Sequence, residues 1–135
     1  MVVTVFYGVL DTRTGELEYG VAGHNPAYVF SDGRVRALEI RHGRILGTIP
    51  NTNYQTRRAQ LKAGDALLLY TDGVTEATNT SENFFSEERL VEWYQRSGGI
   101  PVKKLVSGLV EEVQTFAGGH PQADDVTVVA VQYLG

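Results

Sequence analysis

The sequence contains no cysteine. This excludes a disulfide framework and a thiolate metal site, so only oxygen and imidazole side chains are left as donors for a cation. It is also compatible with a reducing cytoplasm, where the chain is expected. Positive charge is in short supply: 12 Lys and Arg stand against 16 Asp and Glu, a net charge of −4. No Lys/Arg run is present to follow a phosphate backbone, and nucleic acid is not an expected partner. Long apolar runs are missing too. The opening "MVVTVFYGVLD" falls well short of the roughly 20 residues that span a bilayer, and it has neither a basic flank nor a small-residue cleavage site. It reads as a strand, with no membrane insertion. Repeats, low-complexity tracts and linker-like shifts in composition are likewise absent, so the 135 residues read as one domain over 1–135.

What is present is a succession of strands followed by helices. Val2 to Leu10 is β-branched and aromatic, "DTRTGE" supplies a turn, and Leu17 to Ala22 alternates, which predicts a hairpin. A second hairpin is predicted from Ala27–Phe30 through "SDG" to Val35–Ile40. The Gly, Pro and Asn content of 41–53 indicates a loop, Tyr54 to Leu61 alternates, and "KAGD" turns into the continuous apolar run "ALLLYT", a buried strand. Ser86 is a candidate N-cap with Glu87 and Glu88 behind it, for a helix that ends at Gly98-Gly99. Pro101 opens a second helix whose Leu105, Leu109, Val113 and Phe116 lie along one face. Val126 to Leu134 reads as a last strand. The pattern predicts an α+β fold, a helix pair on a mostly antiparallel sheet.

Chemistry concentrates in "LLLYTDGVTEA" and "QADDVTVV". A buried strand delivers Asp72 to its end, Gly73 bends the chain, and Glu76 follows. Asp124 and Asp125 stand directly before another strand. Carboxylates at the ends of adjacent strands can converge, and hard divalent cations take such oxygen ligands. Asp-Gly and Asp-Asp are also common turn formers, so spacing alone leaves a turn and a metal site both open. His24, in the turn "AGHNP", reads either as a hydrogen-bonded structural residue or as a ligand or base. His42 and His120 lie in Gly/Pro-rich segments and read as solvated loop residues, and Trp93 and Tyr94 as core or rim aromatics.

Taken in order, "FYGVLDTRTGELEYGVAGHNPAYVF", "LGTIP", "GDALLLYTDGVTEATN", "FSEERL" and "ADDVTVVAV" resemble the SpoIIE/RsbU-like branch of the metal-dependent PPM serine/threonine phosphatases, relatives of protein phosphatase 2C. The resemblance implies an α-β-β-α sandwich whose edge aspartates hold two divalent cations, Mn²⁺ or Mg²⁺. By position Asp72 and Asp124 resemble metal ligands, with Asp125, Gly73, Glu76, His24 and Asn25 as further candidates. It implies hydrolysis in which water, acidified between two cations, attacks phosphorus in line, with no protein nucleophile. It also implies a phosphoprotein substrate of the anti-anti-sigma (STAS) type in a bacterial partner-switching pathway, with a sensory or receiver domain attached upstream.

The sequence departs from the family in two places. The family's first metal aspartate lies in a hairpin upstream of the strand that opens this chain, and Asp11 is no substitute, because "LDTRTGE" matches a later turn. The chain is therefore expected to lack the family's N-terminal strands, to bind metal weakly and to show little turnover by itself. Uncovered sheet edge is expected to favour self-association, which a concentration-independent monomer in sedimentation would contradict. Phe85 stands where the family usually has glycine. Two other readings compete: a non-catalytic phosphatase-like fold that acts as a protein-binding module, and an unrelated metal-dependent hydrolase.

Overall fold

The computed structural model describes residues 2–40 and 44–135. His42 lies outside them. Among the described residues seven strands form two antiparallel sheets. β1 (Val5–Leu10) and β2 (Glu16–Ala22) make the first hairpin, and β5 (Arg57–Gln60) pairs with the far side of β2, giving the order β1-β2-β5. The second sheet has the order β4-β3-β6-β7, built from β3 (Tyr28–Ser31), β4 (Arg34–Ala37), β6 (Ala66–Tyr70) and β7 (Val128–Gln132). The helices are a single turn, α1 (Asp72–Thr75), then α2 (Ser86–Ser97) and α3 (Val102–Ala117).

The continuous apolar run of β6 is explained by burial on both faces. Leu67 packs between the sheets with Leu17, Tyr19, Val29, Leu61 and Tyr133. Leu68 and Tyr70 point the other way, into a layer with Leu90, Trp93 and Tyr94 of α2 and Leu105, Leu109 and Val113 of α3. The α3 residues recur every four positions, the period that keeps one face of a helix on a sheet. Each such side chain contributes about 1.5–3 kcal/mol by leaving water. Tyr94 is wholly buried, and its hydroxyl donates to the Ala66 carbonyl at 2.7 Å, tying helix to strand through the core. Burial holds that phenol far above its ordinary pKa, so it stays neutral.

The helix ends follow their sequence signals only in part. In α2 the N-cap position falls on Phe85, without a side-chain cap, and Ser86 is the first helical residue, its Oγ accepting from Arg89 N–H at 3.4 Å. α3 ends on Gly118 in the left-handed region at φ 58°. Phe85, the departure noted above, is buried edge-on against Phe116 with centroids 5.4 Å apart.

Some elements are shorter than the periodicity predicts. β1 starts at Val5, and Val3 makes only an isolated bridge to Leu46. β5 covers four residues rather than 54–61, because Tyr54 turns into the preceding loop and its hydroxyl donates to the Ile45 carbonyl. β4 ends at Ala37, although the Leu38 N–H still donates to Ala27 O at 2.8 Å. α1 is an unpredicted helical turn.

The helix pair covers one face of the four-stranded sheet. On the outer side of the sandwich Tyr7 and Val9 are 61% and 53% exposed, and on β7, facing the intersheet layer, Val129 is 48% exposed. Among the described residues β1 and β7 each pair on one side only, and no helix is long and apolar enough to cross a membrane.

Candidate functional site

Strand register brings the two acidic turns together. β6 and β7 run antiparallel with Tyr70 opposite Val128, so the residues just after β6 lie beside those just before β7. Thr71 stitches the junction. Its N–H donates to Thr127 O at 3.1 Å, its Oγ accepts from Thr127 N–H at 3.1 Å, and its hydroxyl donates to Asp125 O at 3.1 Å. Asp72 and the Asp124-Asp125 pair are thereby neighbours although more than 50 residues apart in the chain.

Gly73 is required at this contact. A Cβ built there would lie 2.0 Å from the Asp125 carbonyl oxygen and 2.6 Å from its carbon, distances that backbone cannot accommodate without moving. Only a residue without a side chain lets the two turns approach this closely.

A third segment reaches the same edge. The chain crosses from β2 in one sheet to β3 in the other through Gly23-His24-Asn25-Pro26, and β3 lies on the opposite side of β6 from β7. This puts Asn25 beside Asp72, and Asn25 Nδ2 donates to Asp72 Oδ1 at 2.8 Å. His24 Nδ1 lies 3.1 Å from Thr4 Oγ1, which fastens the turn to the segment before β1.

These residues line one cavity of about 370 Å³, with Thr4, His24, Asn25, Asp72, Asp124 and Asp125 in its wall. All three carboxylates are exposed, and among the described residues none is paired with a lysine or arginine. Such an unneutralised set attracts cations. Its donors are hard oxygens, which suits Mg²⁺ or Mn²⁺. Among the described residues no group of three His, Asp or Glu side chains is arranged to hold an ion unaided. A small divalent cation bound by one or two carboxylates usually completes its shell with water and phosphate oxygen, and the residues present fit that mode.

The remaining candidates separate. Glu76 is exposed and lines an adjoining groove of about 510 Å³, not the acidic cavity. Gly73 and Asp124 border that groove, and His120 lines it as well. His120 is a loop residue, as the sequence suggests, partly buried and with Nδ1 3.1 Å from Pro121 O. Trp93 and Tyr94 are core, not rim. Asp11 sits in the β1–β2 turn, where the Arg13 N–H and guanidinium hold its carboxyl below the usual range. Tyr70, at the root of the site, is a buried phenol whose pKa desolvation pushes far up.

Sequence reading missed Thr4, Thr71 and Thr127. The last two lie within the motifs "YTDG" and "DDVT", but their joining depends on the β6–β7 register, which local pattern does not reveal.

Comparison with known proteins agrees with this fold. A family model described as Stage II sporulation protein E (SpoIIE) matches residues 1–134. Protein IcfG of Synechocystis sp. is 30% identical over 131 residues, covering 97% of this chain and 20% of that protein. Phosphoserine phosphatase RsbU of Bacillus subtilis is 28% identical over 138 residues, covering 98% of this chain and 39% of RsbU. The solved SiaA-PP2C domain of Pseudomonas aeruginosa superposes with a TM-score of 0.86 at 22% identity, over 98% of this chain and 52% of that one. The fold is thus that of the PP2C phosphatases, and the chain spans well under half the length of these two sequence relatives. The acidic edge formed where β6 meets β7 belongs to a chain of the SpoIIE family.

Proposed function

We propose that this chain forms the larger part of the catalytic domain of a metal-dependent protein-serine/threonine phosphatase. The observation that carries the reading is the convergence of Asp72, Asp124 and Asp125 on one cavity that, among the described residues, no lysine or arginine lines. The name of the RsbU relative supports a phosphoserine substrate. Mn²⁺ or Mg²⁺ is the cofactor, two cations in the complete domain, and the substrate is a phosphorylated STAS-type anti-anti-sigma factor in the cytoplasm. A sensory or receiver domain upstream would supply the signal. Among the described residues β1 and β7 are edge strands, which supports self-association of this chain through a sheet edge.

When bound, the cations would acidify water and draw charge from the phosphoryl oxygens. Asp72 and Asp124 would hold them from opposite sides of the β6–β7 junction, with Asp125 as a further donor. Asn25 faces Asp72, and His24 lies at the rim. Gly73 lets the two acidic turns approach closely, through its bulk-free contact with the Asp125 carbonyl. The absence of cysteine is consistent with direct attack by water rather than by a protein thiol.

The test is hydrolysis of a phosphoserine protein in Mn²⁺ by the full-length protein and its Asp72→Asn variant. The exchange removes a charged ligand and nearly preserves shape. Turnover is expected to fall at least ~100-fold with little change in metal-free melting. A wild type that binds the phosphoprotein without turnover would favour the binding-module reading. Preference for small phosphoesters over phosphoproteins would favour an unrelated hydrolase.

A further inference from the structure

We infer that Asn25 is a positioning residue for Asp72, a hydrogen-bond donor that fixes one carboxylate oxygen and leaves the other for the cation, and is not itself a ligand. The inference rests on the metal-site reading above and deepens it.

The argument begins with the bond. An ionised carboxylate only accepts, so the Asn25 amide must present its nitrogen, and Nδ2 lies 2.8 Å from Oδ1. Among the described residues this is the one side-chain hydrogen bond that Asp72 makes, and Oδ2 has none. A single donor on one oxygen restricts rotation of the carboxylate, the property a ligand needs before a cation arrives.

A donor can position another group only if it is held itself. Asn25 is anchored on both sides. Behind it, Gly23 takes φ 64° with Ile45 so close that a Cβ at Gly23 would lie 2.6 Å from Ile45 Cγ1. Next to it, His24 is fastened to Thr4. Ahead, Pro26 restricts the backbone, and Ala27 is buried with its carbonyl accepting from Leu38 N–H at 2.8 Å. The turn between the sheets is therefore a fixed bracket. This also answers what asparagine does in "AGHNP": a turn needs only its backbone tolerance, yet its φ is not in the left-handed region. Its side chain is what the position uses.

The test is a double-mutant cycle on Mn²⁺ affinity, measured by calorimetry on the full-length protein as wild type, Asn25→Ala, Asp72→Asn and the double variant. Asn25→Ala should weaken Mn²⁺ binding ~10–100-fold, the usual cost of losing a partner of a ligand. In the Asp72→Asn background the same substitution should change affinity less than ~2-fold, because Asn25 acts only through Asp72. Unchanged affinity in Asn25→Ala would overturn the inference, and so would equal losses in both backgrounds, which would make Asn25 an independent ligand. Full Mn²⁺ affinity in Asp72→Asn would instead bring down the metal-site reading on which the inference rests. Metal-free melting is recorded for every variant, and Asn25→Ser replaces Asn25→Ala if alanine prevents folding.

Discussion

The two acidic turns of the site are built differently. Asp72 opens a helical turn whose next three residues, Gly73, Val74 and Thr75, are all buried, and its carboxylate is held by Asn25. Asp124 and Asp125 lie in an exposed segment, where the nearest carboxylate contact is local: the Asp125 N–H donates to Asp124 Oδ1 at 2.7 Å. One turn is part of the core and the other is attached to it through Thr71 and Gly73. The difference teaches how the proposed site would bind a cation without a closed cage. The carboxylate held by Asn25 would set the position, and the exposed pair would adapt to the ion and to the phosphate that arrives with it.

Removing the close approach breaks the comparison most severely. Gly73→Ala places a methyl where the Asp125 carbonyl stands, so the second turn must retreat by more than an ångström. The expected result is a loss of ~1–3 kcal/mol in stability from overpacking, with turnover reduced about 100-fold by misplacement, checked by thermal melting and phosphoserine hydrolysis. Asp72 should stay in place while Asp124 and Asp125 move.

A smaller change sharpens it. Thr71→Val keeps the shape but removes the hydroxyl that donates to Asp125 O and accepts from Thr127 N–H. Stability should drop by about 1–2 kcal/mol, with Mn²⁺ affinity falling several-fold. Amide exchange should quicken at 124–127 and remain slow at Val74 and Thr75. Equal acceleration in both turns would contradict the division into a fixed and an attached part.

These details lie beyond what the sequence made legible, for physical reasons. The α3 stripe of Leu105, Leu109 and Val113 and the run "ALLLY" carry their burial in their own spacing, so the helix pair and the central strand could be read directly. The acid positions at strand ends could be read too, because strand followed by Asp-Gly or preceded by Asp-Asp is a local signal. Pairing was not legible. Asn25 meets Asp72 across 47 residues and Thr71 meets Asp125 across 54, and both depend on which strands neighbour β6. Short elements were misjudged for a similar reason: Tyr54 alternates like a strand residue, but a hydrogen bond to Ile45 draws it into the loop. His24 shows the same limit, since its partner Thr4 is 20 residues away.

The most direct test of the central claim is to locate the cation. The full-length protein would be crystallised with Mn²⁺ and its anomalous scattering mapped, alongside crystals of Asp72→Asn. The account predicts a peak in the cavity between Asp72 and the Asp124-Asp125 turn, with Asp72 Oδ2 as a ligand and Asn25 Nδ2 still on Oδ1. That peak should be lost or strongly weakened in the variant. Manganese bound elsewhere on the fold, or an unchanged peak without the Asp72 carboxylate, would contradict it.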